Sequence, residues 1–188
     1  MKKIAIFASG SGTNAENIAL YFKDHKYIKV ALILSNKADA YVLKRAEKLG
    51  IPSVTFSRDD FYQYNNVKNL LLNKGIDFIV LAGFLWLVPN DLIRHYPNRI
   101  INIHPALLPQ YGGKGMYGDR VHRAVYENGE KESGITIHYV NENYDEGQII
   151  HQARFSIEDG DGPREIAQKA HVLEHKEYPR VIEKLLSE

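Results

Sequence analysis

The stretch Lys3–Asn17, KIAIFASGSGTNAEN, sets the architecture. Its apolar opening, KIAIFAS, reads as a buried strand. Glycines at 10 and 12 end the extended run, and a helix is expected from about Thr13 to Asp24. Gly10, Gly12 and Ala15 match G-x-G-x-x-A, the alanine form of the dinucleotide fingerprint. Glycines let backbone N–H groups approach an anion closely, and the dipole of the helix start favours negative charge. A phosphate near Gly12, Thr13 and Asn14 follows. NAD fits less well, because the fingerprint expects an acid at the end of the second strand. Here that strand ends LSNKADA, where Asp39 comes late and after Lys37. The phosphate reading is preferred to a bare tight turn, and both to NAD.

The pattern repeats outward from this unit. IKVALILSN reads as a second strand and AYVLKRAEKLG as an amphipathic helix stopped by Gly50. PSVTF is a short strand, followed by a helix over roughly Asp60–Lys74 that Gly75 ends. DFIVLAG is a strand, PNDLIRHY a short helix with Pro89 in its first turn, and RIINIH a further strand. Such alternation implies parallel pairing through right-handed crossovers. After a loop over Pro105–Gly118, DRVHRAVYEN reads as a helix, and GITIHYV and GQIIHQARFSI as two strands close enough to pair antiparallel. The segment from Pro163 onward reads as a core-facing helix interrupted near Pro179. The expected class is α/β: a doubly wound, mostly parallel sheet with a Rossmann-type core and an antiparallel C-terminal strand addition.

With 188 residues, one domain is expected. Lys plus Arg is 24 against 23 acids, so no broad field points to nucleic acid. The absence of cysteine removes disulfides and thiol nucleophiles, and fits a cytoplasmic protein. The N-terminal apolar run breaks into Gly and Ser and reads as a first strand rather than a leader. No apolar stretch reaches bilayer length, so no membrane role is expected.

The second informative stretch is Arg99–Gly113, RIINIHPALLPQYGG. Residues i and i+2 of a strand share a face, so Asn102 and His104 point together beyond a strand's C-terminal end, where open sheets bind ligands. An imidazole near its ordinary pKa moves protons at neutral pH, and an amide N–H stabilises an oxyanion. That pair suits acyl transfer to an amine. No G-x-S-x-G elbow occurs, so direct transfer without an acyl-enzyme is the simpler route. Asp145, between the last two strands, is the expected third member; a turn residue before Gly147 is the competing reading, as a structural histidine is for His104. HVLEH, His171–His175, matches an inverted zinc-protease pattern but suggests no third ligand.

NIHPALLPQY resembles the N-x-H-P-S-L-L-P motif of the folate-dependent formyltransferases. VLAGFLWLV, SNKADA with LKRAEKLGIP, SGSGTN, HYVNENYDEGQIIHQA and LEHKEYP extend the resemblance over essentially the whole chain. It is nearest to the branch whose acceptor is glycinamide ribonucleotide. The resemblance implies formyl transfer from 10-formyltetrahydrofolate, a co-substrate, to that acceptor's amine in purine synthesis, with no metal. It implies His104 as general acid/base, Asn102 as oxyanion stabiliser, and Asp145 as the group that tunes His104. Gly12, Thr13 and Asn14 would hold the acceptor phosphate and Glu174 the ribose. Leu85, Trp86, Leu87 and Val88, with Asn102 and Asn141, Glu142, Asn143, Tyr144 and Asp145, would wrap the pterin. Residues of about 1–100 would form a phosphate-binding half and about 101–188 a folate and catalytic half, in a monomer or homodimer. Ala106 and Trp86 depart from residues common in the family, and GGKGMYGDRVH is a longer loop in which Lys114 or Arg120 could add charge. Arg58 is the nearest candidate for a base contacting the formyl donor. A hydrolase passing formyl to water, a sugar-nucleotide formyltransferase and a non-catalytic nucleotide-binding module are the competing readings.

Overall fold

The computed structural model describes residues 1–187. Seven strands form one sheet: β1 Lys2–Phe7, β2 Ile28–Ser35, β3 Ser53–Thr55, β4 Phe78–Leu81, β5 Ile100–His104, β6 Glu132–Tyr139 and β7 Ile149–Ser156. Their spatial order is β3-β2-β1-β4-β5-β6-β7. The first five strands pair in parallel. The last two are added antiparallel, as the paired apolar runs implied. Chain order reverses between β1 and β4, which makes the crevice beyond those two strand ends the topological switch point.

Strand residues alternate between two cores. Ile4 and Ile6 of β1 and Ile101 and Ile103 of β5 pack on one face, with Ile18 of helix α1 (Thr13–Tyr21) and Tyr178 of helix α7 (Pro163–Ser187). Ala5 and Phe7 join Phe56, Phe61 and Leu71 on the other. The register of β5 therefore sends Asn102 and His104 to the face of Ile100, away from α7's apolar side.

Two expectations are corrected. The single helix over Asp60–Lys74 is two: α3 Arg58–Tyr62 and α4 Asn66–Asn73, following α2 Tyr41–Lys48. Ser57 starts α3 early by a capping box with Asp60, and Asn65, in the left-handed region at φ 55°, turns the chain between them. The C-terminal helix, by contrast, runs unbroken through Pro179. Proline removes the N–H that would bond the carbonyl four residues back. That carbonyl, of His175, instead accepts from Asn17 Nδ2 of α1 at 2.8 Å. Two short helices complete the chain, α5 Asn90–His95 and α6 Asp119–Glu127.

Candidate active site

A cavity of about 900 Å³ opens at the switch point, lined by the glycine turn, the segment after β4, the end of β5, the Gly113–Gly118 loop with the start of α6, and α7. Gly12 caps α1 at φ 74° with no side-chain cap, so the helix start faces the cavity with its N–H groups available. A Cβ at Gly12 would lie 2.4 Å from Val42 Cγ2, so glycine also admits the close approach of α2. Val42 N–H donates to Gly10 O at 3.1 Å and Arg45 Nε to Ser11 O at 2.8 Å, which fixes the turn from behind.

Thr13, Asn14 and Glu174 line the same cavity. Asn14 Nδ2 donates to Glu174 Oε2 at 2.8 Å, while Asn14 Oδ1 is buried without a partner. Glu174 also meets His171 Nδ1 at 3.3 Å, a contact that raises the His171 pKa. The HVLEH segment is thus committed to α1 and to a contact between the His171 and His175 rings, tilted by 54° with centroids 4.0 Å apart. Among the described residues no group of three or more His, Cys, Asp or Glu side chains is arranged to hold a metal ion.

Asn102, His104 and Asp145 converge. Asp145 Oδ2 lies 3.5 Å from His104 Nδ1 and accepts from Gly113 N–H at 3.0 Å. His104 is buried, and its Nε2 faces Tyr111 O at 2.7 Å. A carbonyl only accepts, so Nε2 carries the hydrogen and Nδ1 is the nitrogen free to exchange a proton. Burial pushes the His104 imidazole below its ordinary value, and the opposing pull of Asp145 and Tyr111 does not cancel this. Burial raises the Asp145 carboxyl, but contact with the His138 ring, the His104 ring and the Gly113 N–H outweigh it and hold the group below the usual range.

His138, unnoticed in the sequence, completes the cluster. It stands opposite Asn102 in the β5–β6 ladder. Its Nδ1 faces Tyr139 O at 2.8 Å and so carries hydrogen, leaving Nε2 to accept from Asn102 Nδ2 at 3.2 Å. The second Asn102 hydrogen faces Asp145 Oδ1 at 3.4 Å. The amide expected to point at an oxyanion is therefore held by two protein acceptors, both at long range. Only the His138–Asn102 register could have revealed this residue, and register is not written in β6 alone.

Leu85, Trp86, Leu87 and Val88 all line the cavity, as do Asn143, Tyr144 and Asp145. Leu85 N–H donates to Ser9 Oγ at 3.0 Å, which ties this segment to the end of β1. Asn141 and Glu142 lie outside the lining; Asn141 Oδ1 accepts from Asn143 N–H at 3.0 Å and shapes the turn. Arg58 also lies outside it, its guanidinium 5.1 Å from the Tyr62 ring and 5.2 Å from the Trp86 ring. Lys37, Lys114, Arg120 and His122 join the lining from the other sides. His122 is buried and its Nδ1 has no partner.

The chain resembles known proteins along nearly its whole length. The sequence pattern described as formyl transferase matches residues 2–182. The chain is 41% identical over 187 residues to the chloroplastic phosphoribosylglycinamide formyltransferase of Arabidopsis thaliana, covering 96% of this chain and 64% of that protein. It is 38% identical to the Bacillus subtilis phosphoribosylglycinamide formyltransferase, over 99% of this chain and 95% of that one. The crystal structure of phosphoribosylglycinamide formyltransferase from Bacillus halodurans superposes with a TM-score of 0.89 at 39% identity, covering 100% of this chain and 96% of that one. Glycinamide ribonucleotide transformylase 1 from Symbiobacterium toebii gives 0.90 at 32%, with coverages of 100% and 88%. The chain belongs to the formyl transferase family.

Proposed function

We propose that this chain moves a formyl group from 10-formyltetrahydrofolate to the amine of glycinamide ribonucleotide, directly, through a tetrahedral intermediate. One observation carries the reading: Asn102, His104 and Asp145 share a single cavity with the uncapped glycine turn, in a chain of this family. The acceptor's phosphate sits on the N–H groups that follow Gly12, at Thr13 and Asn14, and its ribose hydroxyls donate to Glu174. Its amine then extends toward His104. The pterin lies against Leu85–Val88 and Asn143–Asp145, with Asn141 supporting that turn from outside. The phosphate-binding half, about 1–100, thus also supplies one folate wall, and the half from about 101 to 188 supplies the proton-transfer groups.

The neutral acceptor amine attacks the formyl carbon, and a C–N bond forms as the carbonyl electrons move to oxygen. His104 Nδ1 takes a proton from that amine. The resulting imidazolium is stabilised by Asp145, 3.5 Å away. The Asn102 amide, whose Nδ2 lies 3.4 Å from Asp145 Oδ1 and 3.2 Å from His138 Nε2, rotates as a unit to donate an N–H to the oxyanion. His104 returns the proton to the folate nitrogen as the old C–N bond breaks. No step in this route calls for a metal.

The test is a folate-product assay with 10-formyltetrahydrofolate, with and without glycinamide ribonucleotide. Acceptor-dependent turnover is expected. Equal turnover without acceptor would point to a hydrolase, and none in either case to a different acceptor or a binding module.

A further inference from the structure

We propose that Asn17 is a positioning residue for the acceptor, acting through Glu174 by holding α7 in register where Pro179 removes a helical hydrogen bond. The inference rests on the acceptor assignment made for Glu174. Three facts carry it. Pro179 lies inside α7 and is buried, so the carbonyl of His175 has no intrahelical donor. Asn17 Nδ2 supplies that donor at 2.8 Å. One turn earlier on α1, Asn14 Nδ2 donates to Glu174 Oε2, also at 2.8 Å.

Asn14 and Asn17 are three apart and share a face of α1. Two amides of one helix therefore grip consecutive residues of the other, and the second grip sits at the point where proline invites a kink. Release of the His175 carbonyl leaves α7 free to bend there. Glu174, one residue away, then shifts relative to Asn14 and the glycine turn. Asn17 itself does not line the cavity and touches no reacting atom. Its effect falls on the distance between the phosphate seat and the ribose contact, hence on acceptor binding.

Asn17→Ala raises the acceptor KM by about fivefold, the effect of one lost neutral hydrogen bond, while kcat and the folate KM stay near wild type. Pro179→Ala restores an N–H that bonds the His175 carbonyl within the helix. In that background Asn17→Ala no longer raises the acceptor KM. The same rise in both backgrounds, a fall in kcat at unchanged KM, or a wild-type KM in Asn17→Ala overturns the proposal. Should Pro179→Ala not fold, Asn17→Asp carries the test: it keeps the shape, loses the donor and raises the acceptor KM at least as much, and a wild-type value overturns the proposal. Failure of the functional reading looks different. The unaltered protein then shows no acceptor-dependent turnover and the positioning role falls with it, while non-additivity of Asn17→Ala and Pro179→Ala in urea unfolding still reports the bond itself.

Discussion

At the scale of single residues, the proton logic turns on which nitrogen of His104 is free. Tyr111 O fixes hydrogen on Nε2, so in the proposed transfer Nδ1 exchanges the proton beside Asp145. Burial keeps the ring neutral, and the neutral form is the base. Because the folded pKa lies below the ordinary 6.5, the base form is fully present above that value and is lost as pH falls through the lower one. The acid limb of kcat/KM, which reports the free enzyme, is therefore expected below pH 6.5. Asp145 raises the His104 pKa, so Asp145→Asn moves that limb to still lower pH and lowers kcat, since the imidazolium loses its partner. A pH–rate series on both proteins checks this; a limb displaced upward in Asp145→Asn contradicts it. Asn102 and His104 were legible in the sequence because a strand's period of two is strict. Asp145 was legible only as a candidate: it sits in the left-handed region at φ 57°, and its approach to His104 depends on the turn between β6 and β7. His138 was not legible, because its partnership with Asn102 is set by cross-strand register.

At the scale of elements, the turn after β1 and the start of α1 form the proposed anion seat, and Gly12 sets their geometry. Its φ of 74° and the 2.4 Å that a Cβ would leave to Val42 both exclude a side chain. Gly12→Ala is expected to lower the unfolding free energy by roughly 1–3 kcal/mol and to raise the acceptor KM more than the folate KM. Urea unfolding and paired KM measurements decide this; a fully stable variant with unchanged acceptor KM contradicts it. The strand–glycine–helix pattern announced this unit because each local preference agrees with the fold. The helix after β3 was misread for the opposite reason. Apolar spacing ran on through Gln63–Asn65, whereas the capping box at Ser57 starts α3 early and the turn at Asn65 divides it from α4. Pro179 misled in the other direction, since a proline rule written for one helix cannot know that a neighbouring helix supplies the missing donor.

At the scale of the molecule, the cavity lies at the switch point beside β1 and β4, with α7 forming one of its walls. Tyr178 is fully buried, and its hydroxyl donates to Leu81 O at 2.9 Å, with Ile101 O at 3.3 Å. This ties the helix that carries Glu174 to β4 and to β5, the strand that carries Asn102 and His104. Tyr178→Phe removes a buried donor and is expected to destabilise by about 1–3 kcal/mol in urea unfolding; an unchanged unfolding curve contradicts that. The doubly wound, mostly parallel class was readable from alternation, and the antiparallel addition from the closeness of the last two strands, whereas the order β3-β2-β1-β4-β5-β6-β7 came from the tertiary structure. The Gly113–Gly118 loop was readable only as a loop, and its place along the cavity wall came from the tertiary structure. The central claim is that His104 moves the proton between the two amines. Its most direct measurement is acceptor-dependent turnover of His104→Ala alongside the unaltered protein at neutral pH. A loss of at least ~10²-fold with near-normal folate binding is predicted; turnover close to that of the unaltered protein would contradict the account.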